Sequence, residues 1–113
     1  MILNYTPHLL DIYEGRDVVR QIDSLGEIRA KSDESPQGDI EKIPLVKLMY
    51  SEPILPEDFN PQAGDYVVVS LVALLSLKNY KVVDNYPGVT FVSPADLVRD
   101  GNGKVIGCRK FAL

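Results

Sequence analysis

The chain has 113 residues, enough for one domain with one core and too few for two. Hydrophobic residues make up 45% and charged residues 25%, a balance that excludes an intrinsically disordered chain. The formal charge of -4 argues against affinity for duplex nucleic acid, which needs basic surface to displace phosphate counterions. It leaves room for a small phosphorylated ligand, which two or three placed arginines can hold.

Residues 2–23 read as two antiparallel strands, with Leu10 and Ile12 on one side of the turn Tyr13-Glu14-Gly15-Arg16-Asp17 and Val18, Val19 and Ile22 on the other. The alternation is interrupted once, by Asn4-Tyr5-Thr6-Pro7-His8, which reads as a bend. Residues 24–32 suit a turn and a short polar strand. The acidic stretch 33–41, containing Pro36 and Gly38, reads as an exposed loop or hairpin tip. Ile43 to Tyr50 is the next strand, and 51–64, with Pro53, Pro56 and Pro61, is a connection.

A buried strand at 66–70 runs into Leu71, Leu74, Leu75 and Lys78 at helical spacing. Ser70 is placed to cap that helix, predicted over 70–80, and Lys78 suits its C-terminus. The helix is apolar nearly all round, so it is either buried or pressed against another subunit. Asn85-Tyr86-Pro87-Gly88 signals a turn, and Ser93-Pro94-Ala95-Asp96 reads as a capped single helical turn. The clearest hairpin joins 97–100 to 104–111 through Gly101-Asn102-Gly103. The expectation is an α+β domain, mostly antiparallel sheet with one substantial helix.

Few conventional catalytic pairings can be assembled from one histidine and one cysteine. Cys108 alone forms no internal disulfide, redox pair or Cys-Cys zinc knuckle, which points to a cytosolic setting. The opening residues lack the basic and apolar stretches of a secretory signal, and the longest apolar run, 66–77, is too short for about 30 Å of bilayer. His8 beside Pro7 reads as the anchor of a bend, with a general base as the competing role. Ser70 lacks the surrounding glycines of a nucleophile elbow, and capping accounts for it. No metal or cofactor is expected.

Binding chemistry is better supplied. Arg99, Lys104, Arg109 and Lys110 crowd one hairpin, with Arg29 in a separate strand. An arginine beside an aromatic is the minimal kit for a nucleotide, the guanidinium holding phosphate and the ring stacking on the base. Tyr86 and Phe91 are the nearby rings. The alternative is that these charges only solubilise an outer sheet face.

The chain resembles a family of small phage and bacterial proteins marked by an opening N-x-T-P-H, a central V-S before an apolar segment, and a closing LVRD-x-x-G-x-V-I-G-C-R. Here these are Asn4 to His8, Val69 to Ala73, and Leu97 to Arg109. Within that likeness it is similar to the first Thoeris anti-defence family, viral sponges that hold cyclic ADP-ribose-type signals, and in some cases cyclic oligonucleotides, without cleaving them. The resemblance implies a homo-oligomer in the host cytoplasm with pockets between subunits. It implies Arg29 and Arg109 on phosphates, Phe91 or Tyr86 stacked on a base, and Asn102 or Asp100 on ribose hydroxyls. Two other functions compete: an accessory protein working through protein–protein contacts, and a hydrolase using His8 with a carboxylate.

Overall fold

The computed structural model describes all 113 residues, beginning with a three-residue strand, β1 (Ile2–Asn4). The Asn4-to-His8 bend follows, then the hairpin of β2 (Leu10–Glu14) and β3 (Asp17–Ile22), closed by Gly15 and Arg16. Gly15 has φ +63° at the first central position, where a type II′ turn calls for glycine. The bend is held by a buried side chain. Asn4 Nδ2 donates to the carbonyls of His8 (2.9 Å) and Ile22 (3.0 Å), while Oδ1 accepts from Thr6 N (2.9 Å) and Thr6 Oγ1 (2.6 Å). The His8 imidazole is exposed, so the histidine anchors the bend through its carbonyl and the buried anchor is Asn4.

The acidic stretch expected as an exposed loop or hairpin tip is mostly strand β4 (Ser32–Ile40), paired with β5 (Ile43–Tyr50) in a separate two-stranded sheet, and only Glu41 lies at the tip. Glu41 and Lys42 close it at φ 48° and 70°, both in the left-handed region that a type I′ turn requires. The polar strand expected within 24–32 shrinks to single bridges, Asn4 with Ser24 and Arg29 with Ile54.

Strand β6 (Tyr66–Val68) leads through Ser70 into helix α1 (Leu71–Asn79), and Ser70 Oγ accepts from Ala73 N at 3.2 Å, the expected cap. After a 3-10 turn at Val82–Asn85, β7 (Thr90–Arg99) lies parallel to β6, so β6, α1 and β7 form a β-α-β unit. Strand β8 (Val105–Ala112) completes a sheet of order β1-β6-β7-β8-β2-β3.

The α+β class stands, with a single α-helix. The mostly antiparallel sheet does not: β1 with β6, β6 with β7 and β2 with β8 are parallel, and only β7 with β8 and β2 with β3 run antiparallel in the six-stranded sheet. The helical turn expected at 93–96 is also absent. Ser93 and Pro94 continue β7, opposite Ala112 and Phe111. Pro94 is tolerated because β6 has already left for the helix, leaving β7 with an unpaired side. Asp96 takes φ +48° within the strand.

Strand alternation divides the core. Val67, Val69 and Phe91 pack with Ala73, Leu74 and Leu77 of α1, and Tyr5, Ile28 and Phe59 join them. Val68, Val92, Leu10 and Cys108 pack on the opposite face. Three-residue β1 and β6 are stable because both faces of their sheet are covered.

Candidate functional site

The turn of the β2–β3 hairpin and the distal half of the β7–β8 hairpin flank an open cleft of about 520 Å³. Its walls carry three arginines, Arg16, Arg99 and Arg109, together with Tyr13, Asp100 and the apolar side chains Leu97 and Ile106. Parallel pairing of Ile12 with Cys108 brings the two hairpins side by side. Gly107 permits the approach: a Cβ there would meet the carbonyl oxygen of Asp11 and carbons of the Tyr13 ring at 2.6 and 2.8 Å.

Two of the arginines are held by backbone. Arg109 Nε donates to the Gly15 carbonyl at 2.8 Å, and its Nη1 lies 3.5 Å from Asp96 Oδ1. Arg99 Nη1 donates to the Gly103 carbonyl at 2.9 Å. A guanidinium carries five N–H donors, so each keeps donors for an incoming anion. Arg16 is exposed and pairs with no carboxylate of the chain. Asp100 shapes the rim, its Oδ1 accepting from Asn102 N (2.8 Å) and Lys104 N (3.0 Å), while Gly103 takes φ +80° to close the turn. The arrangement is a local concentration of positive charge in an acidic chain, suited to charge-assisted hydrogen bonds with phosphate or carboxylate.

The six residues singled out from the sequence do not form one site within the chain. Arg109 and Asp100 line the cleft, and Asn102 sits on the exposed turn beside it. Arg29 lies elsewhere, in a shallow recess with Glu27, Leu55 and Asp58, paired to Glu27 at 3.0 Å. Phe91 is 5% exposed in the core and offers no open ring face. Tyr86 is half-buried, its ring edge-on to Phe59 at 5.2 Å and 6.1 Å from Phe91. Phe91 is separated from Leu97, the first cleft residue on β7, by six residues, about 20 Å of strand at roughly 3.3 Å per residue. Tyr13 is the ring the cleft does contain. Arg99 belongs to the cationic hairpin already legible in the sequence, whereas Arg16 and Tyr13 are not legible there, because their convergence requires β2 to pair with a strand at the far end of the chain. Arg16 next to a hairpin glycine was the one local signal.

A second, mostly apolar recess of about 330 Å³ lies at the carboxyl end of β1, where Thr6, His8, Asp11, Leu71 and Pro94 meet. His8 and Asp11 share this recess without a hydrogen bond between them, and Asp11 accepts instead from Gln21 Nε2 at 2.8 Å. Burial pushes the Cys108 thiol above its ordinary range, despite backbone hydrogen bonds from Ala95 and Lys110 that act the other way. Among His, Cys, Asp and Glu, no cluster of three or more is placed to hold a metal ion. No helix is long and apolar enough to cross a membrane.

No family model, curated protein or solved structure matches this chain significantly.

Proposed function

We propose that the protein captures a small phosphorylated nucleotide in the three-arginine cleft and holds it without chemistry, acting as a homo-oligomeric sponge for a cyclic ADP-ribose-type or cyclic oligonucleotide signal in the host cytoplasm. One observation carries this reading: Arg16, Arg99 and Arg109 converge on a single recess of about 520 Å³, two of them tied to backbone carbonyls. That volume falls in the roughly 300–1,000 Å³ range of small-molecule sites. Arginines held in place before the ligand arrives lose less side-chain freedom on binding, which favours affinity. Silencing a signal requires a Kd near nanomolar, about -12 kcal/mol, and charge-assisted bonds to phosphate contribute strongly toward that. In this reading Arg109 and Arg16 hold phosphate, Tyr13 takes the stacking role, and Asp100 and Asn102 face ribose hydroxyls.

The test is isothermal titration with cyclic ADP-ribose and with a cyclic dinucleotide, followed by heat release and mass spectrometry of the ligand. Intact ligand should return. Arg109→Ala and Arg16→Ala should each weaken binding at least about tenfold, or 1.4 kcal/mol, while Arg29→Ala should leave it unchanged. Absence of binding, release of cleaved product, or a dominant effect of Arg29→Ala would refute the proposal.

The projecting β4–β5 hairpin favours a second reading, an accessory protein working through protein contacts. It predicts no thermal stabilisation by either nucleotide at high concentration, where bound ligand would otherwise raise the melting temperature.

A further inference from the structure

Six aliphatic side chains of the β4–β5 hairpin, Ile40, Ile43, Leu45, Val46, Leu48 and Met49, are between 37% and 67% exposed. They occupy both faces: Ile43, Leu45 and Met49 alternate with Val46 and Leu48 along β5. The hairpin has no third strand, so the outer edge of β5 presents unpaired backbone. Its base is fixed to α1, where Tyr80 Oη donates to the Tyr50 carbonyl (2.8 Å) and Ser76 Oγ to the Ser51 carbonyl (2.5 Å). The arm helps to raise the radius of gyration to 16.1 Å, against about 13 Å for a compact chain of this length. An isolated two-stranded hairpin is marginally stable in water, and this one lacks cover on either face.

We propose that β5 pairs antiparallel with β5 of a second copy, joining two hairpins into one four-stranded sheet across a twofold axis. Charge selects that edge. β4 carries Asp33, Glu34 and Asp39 together with a register shift, features that block edge pairing. β5 carries no acid, no register shift of its own and one cation, Lys47; each strand holds one proline, Pro36 and Pro44, so charge rather than proline distinguishes the edges. Pairing β4 with β4 would bring the acids within one strand spacing. Pairing β5 with β5 leaves them three spacings apart, about 14 Å and beyond the roughly 8–10 Å screening length. Pairing β4 with a neighbour's β5 would leave an edge open at each end and propagate, whereas the twofold arrangement closes. Edge pairing covers the backbone edge and part of these side chains, a smaller patch than the roughly 800 Å² per partner of a standard interface, which suits reversible association. This assigns a surface to the self-association in the sponge reading, yet it stands on observations separate from the cleft.

Sedimentation velocity from about 1 to 200 μM, bracketing micromolar association, should show the mass double with concentration. Val46→Lys/Leu48→Lys puts one new cation opposite Glu34 in its own hairpin, preserving the arm, and adds two cations per copy to the seam. It should stay monomeric across that range with an unchanged circular dichroism spectrum. In the unaltered protein, outward amides of residues 43–50 should gain hydrogen-exchange protection as concentration rises. A monomer at 200 μM, concentration-independent exchange, or a variant that still associates would overturn the pairing. Titration with cyclic ADP-ribose reads the cleft separately: capture by a protein that does not pair, or pairing by one that does not capture, shows which reading failed.

Discussion

Replacing Asn4 removes four hydrogen bonds at a position with no solvent exposure. A typical intramolecular hydrogen bond contributes about 1 kcal/mol net, and a buried group left unpaired costs about 1–3 kcal/mol. The His8 carbonyl sits in an exposed segment and also accepts from Thr6 Oγ1 at 3.2 Å, so water and that hydroxyl recover part of its loss. The partly buried Ile22 carbonyl and Thr6 N–H recover less. Asn4→Ala should therefore cost about 3 kcal/mol, a fall in Tm of about 12 °C for a domain of this size, measured by urea and thermal melts. Asn4→Asp separates packing from hydrogen bonding, because it keeps the shape and turns the donor facing two carbonyls into an acceptor. Complete burial and the two facing carbonyls raise the new carboxyl's folded pKa above its unfolded value near 3.9, against the two Thr6 donors that act the other way. The variant should be most stable below that unfolded value and lose stability as pH rises through the folded one. A cost for Asn4→Ala below about 1 kcal/mol, or an Asn4→Asp protein as stable as the parent at pH 7, would refute the account of the bend.

Gly107→Ala should destabilise by about 1–3 kcal/mol in urea melts through overpacking against Asp11 and Tyr13, and weaken nucleotide binding by displacing a cleft wall; a neutral effect on both would contradict the close approach of β2 and β8. The Gln62 backbone N–H, and after it the N-terminal ammonium at 3.4 Å, hold the Asp65 carboxyl below its ordinary range. Its contribution is present above the unfolded carboxylate value near 3.9 and is lost as pH falls through the lowered folded value, so Asp65→Asn should flatten stability against pH below about 4. Parallel curves for parent and variant between about pH 2 and 6 would exclude that role. Cys108, buried and with its thiol pushed up, should label with a thiol reagent only as fast as the structure opens, and urea should accelerate it; complete labelling within seconds in native buffer would show that the strand is not closed over it.

Elements with local causes were legible in the chain itself. Gly15 marked the β2–β3 turn, Gly101-Asn102-Gly103 the β7–β8 turn, and Ser70 the start of α1, because a turn's backbone angles and a helix's first N–H groups are served by adjacent residues. The acidic stretch was misread because its low strand propensity is overridden by pairing with apolar β5. Likewise, Ser93 to Asp96 carries a helix-start signal, but β7 keeps it extended against β8. Parallel neighbours left no local trace, since β1 with β6 and β2 with β8 are joined by long crossings that no turn residue encodes. Arg109 could be singled out from composition, but only the pairing of Ile12 with Cys108 sets Arg16 and Tyr13 beside it, and only strand alternation sends Phe91 inward with Val67. Nearest neighbours dictate bends and caps; which guanidinium groups share a recess is a property of strand order, settled by covering both faces of the sheet.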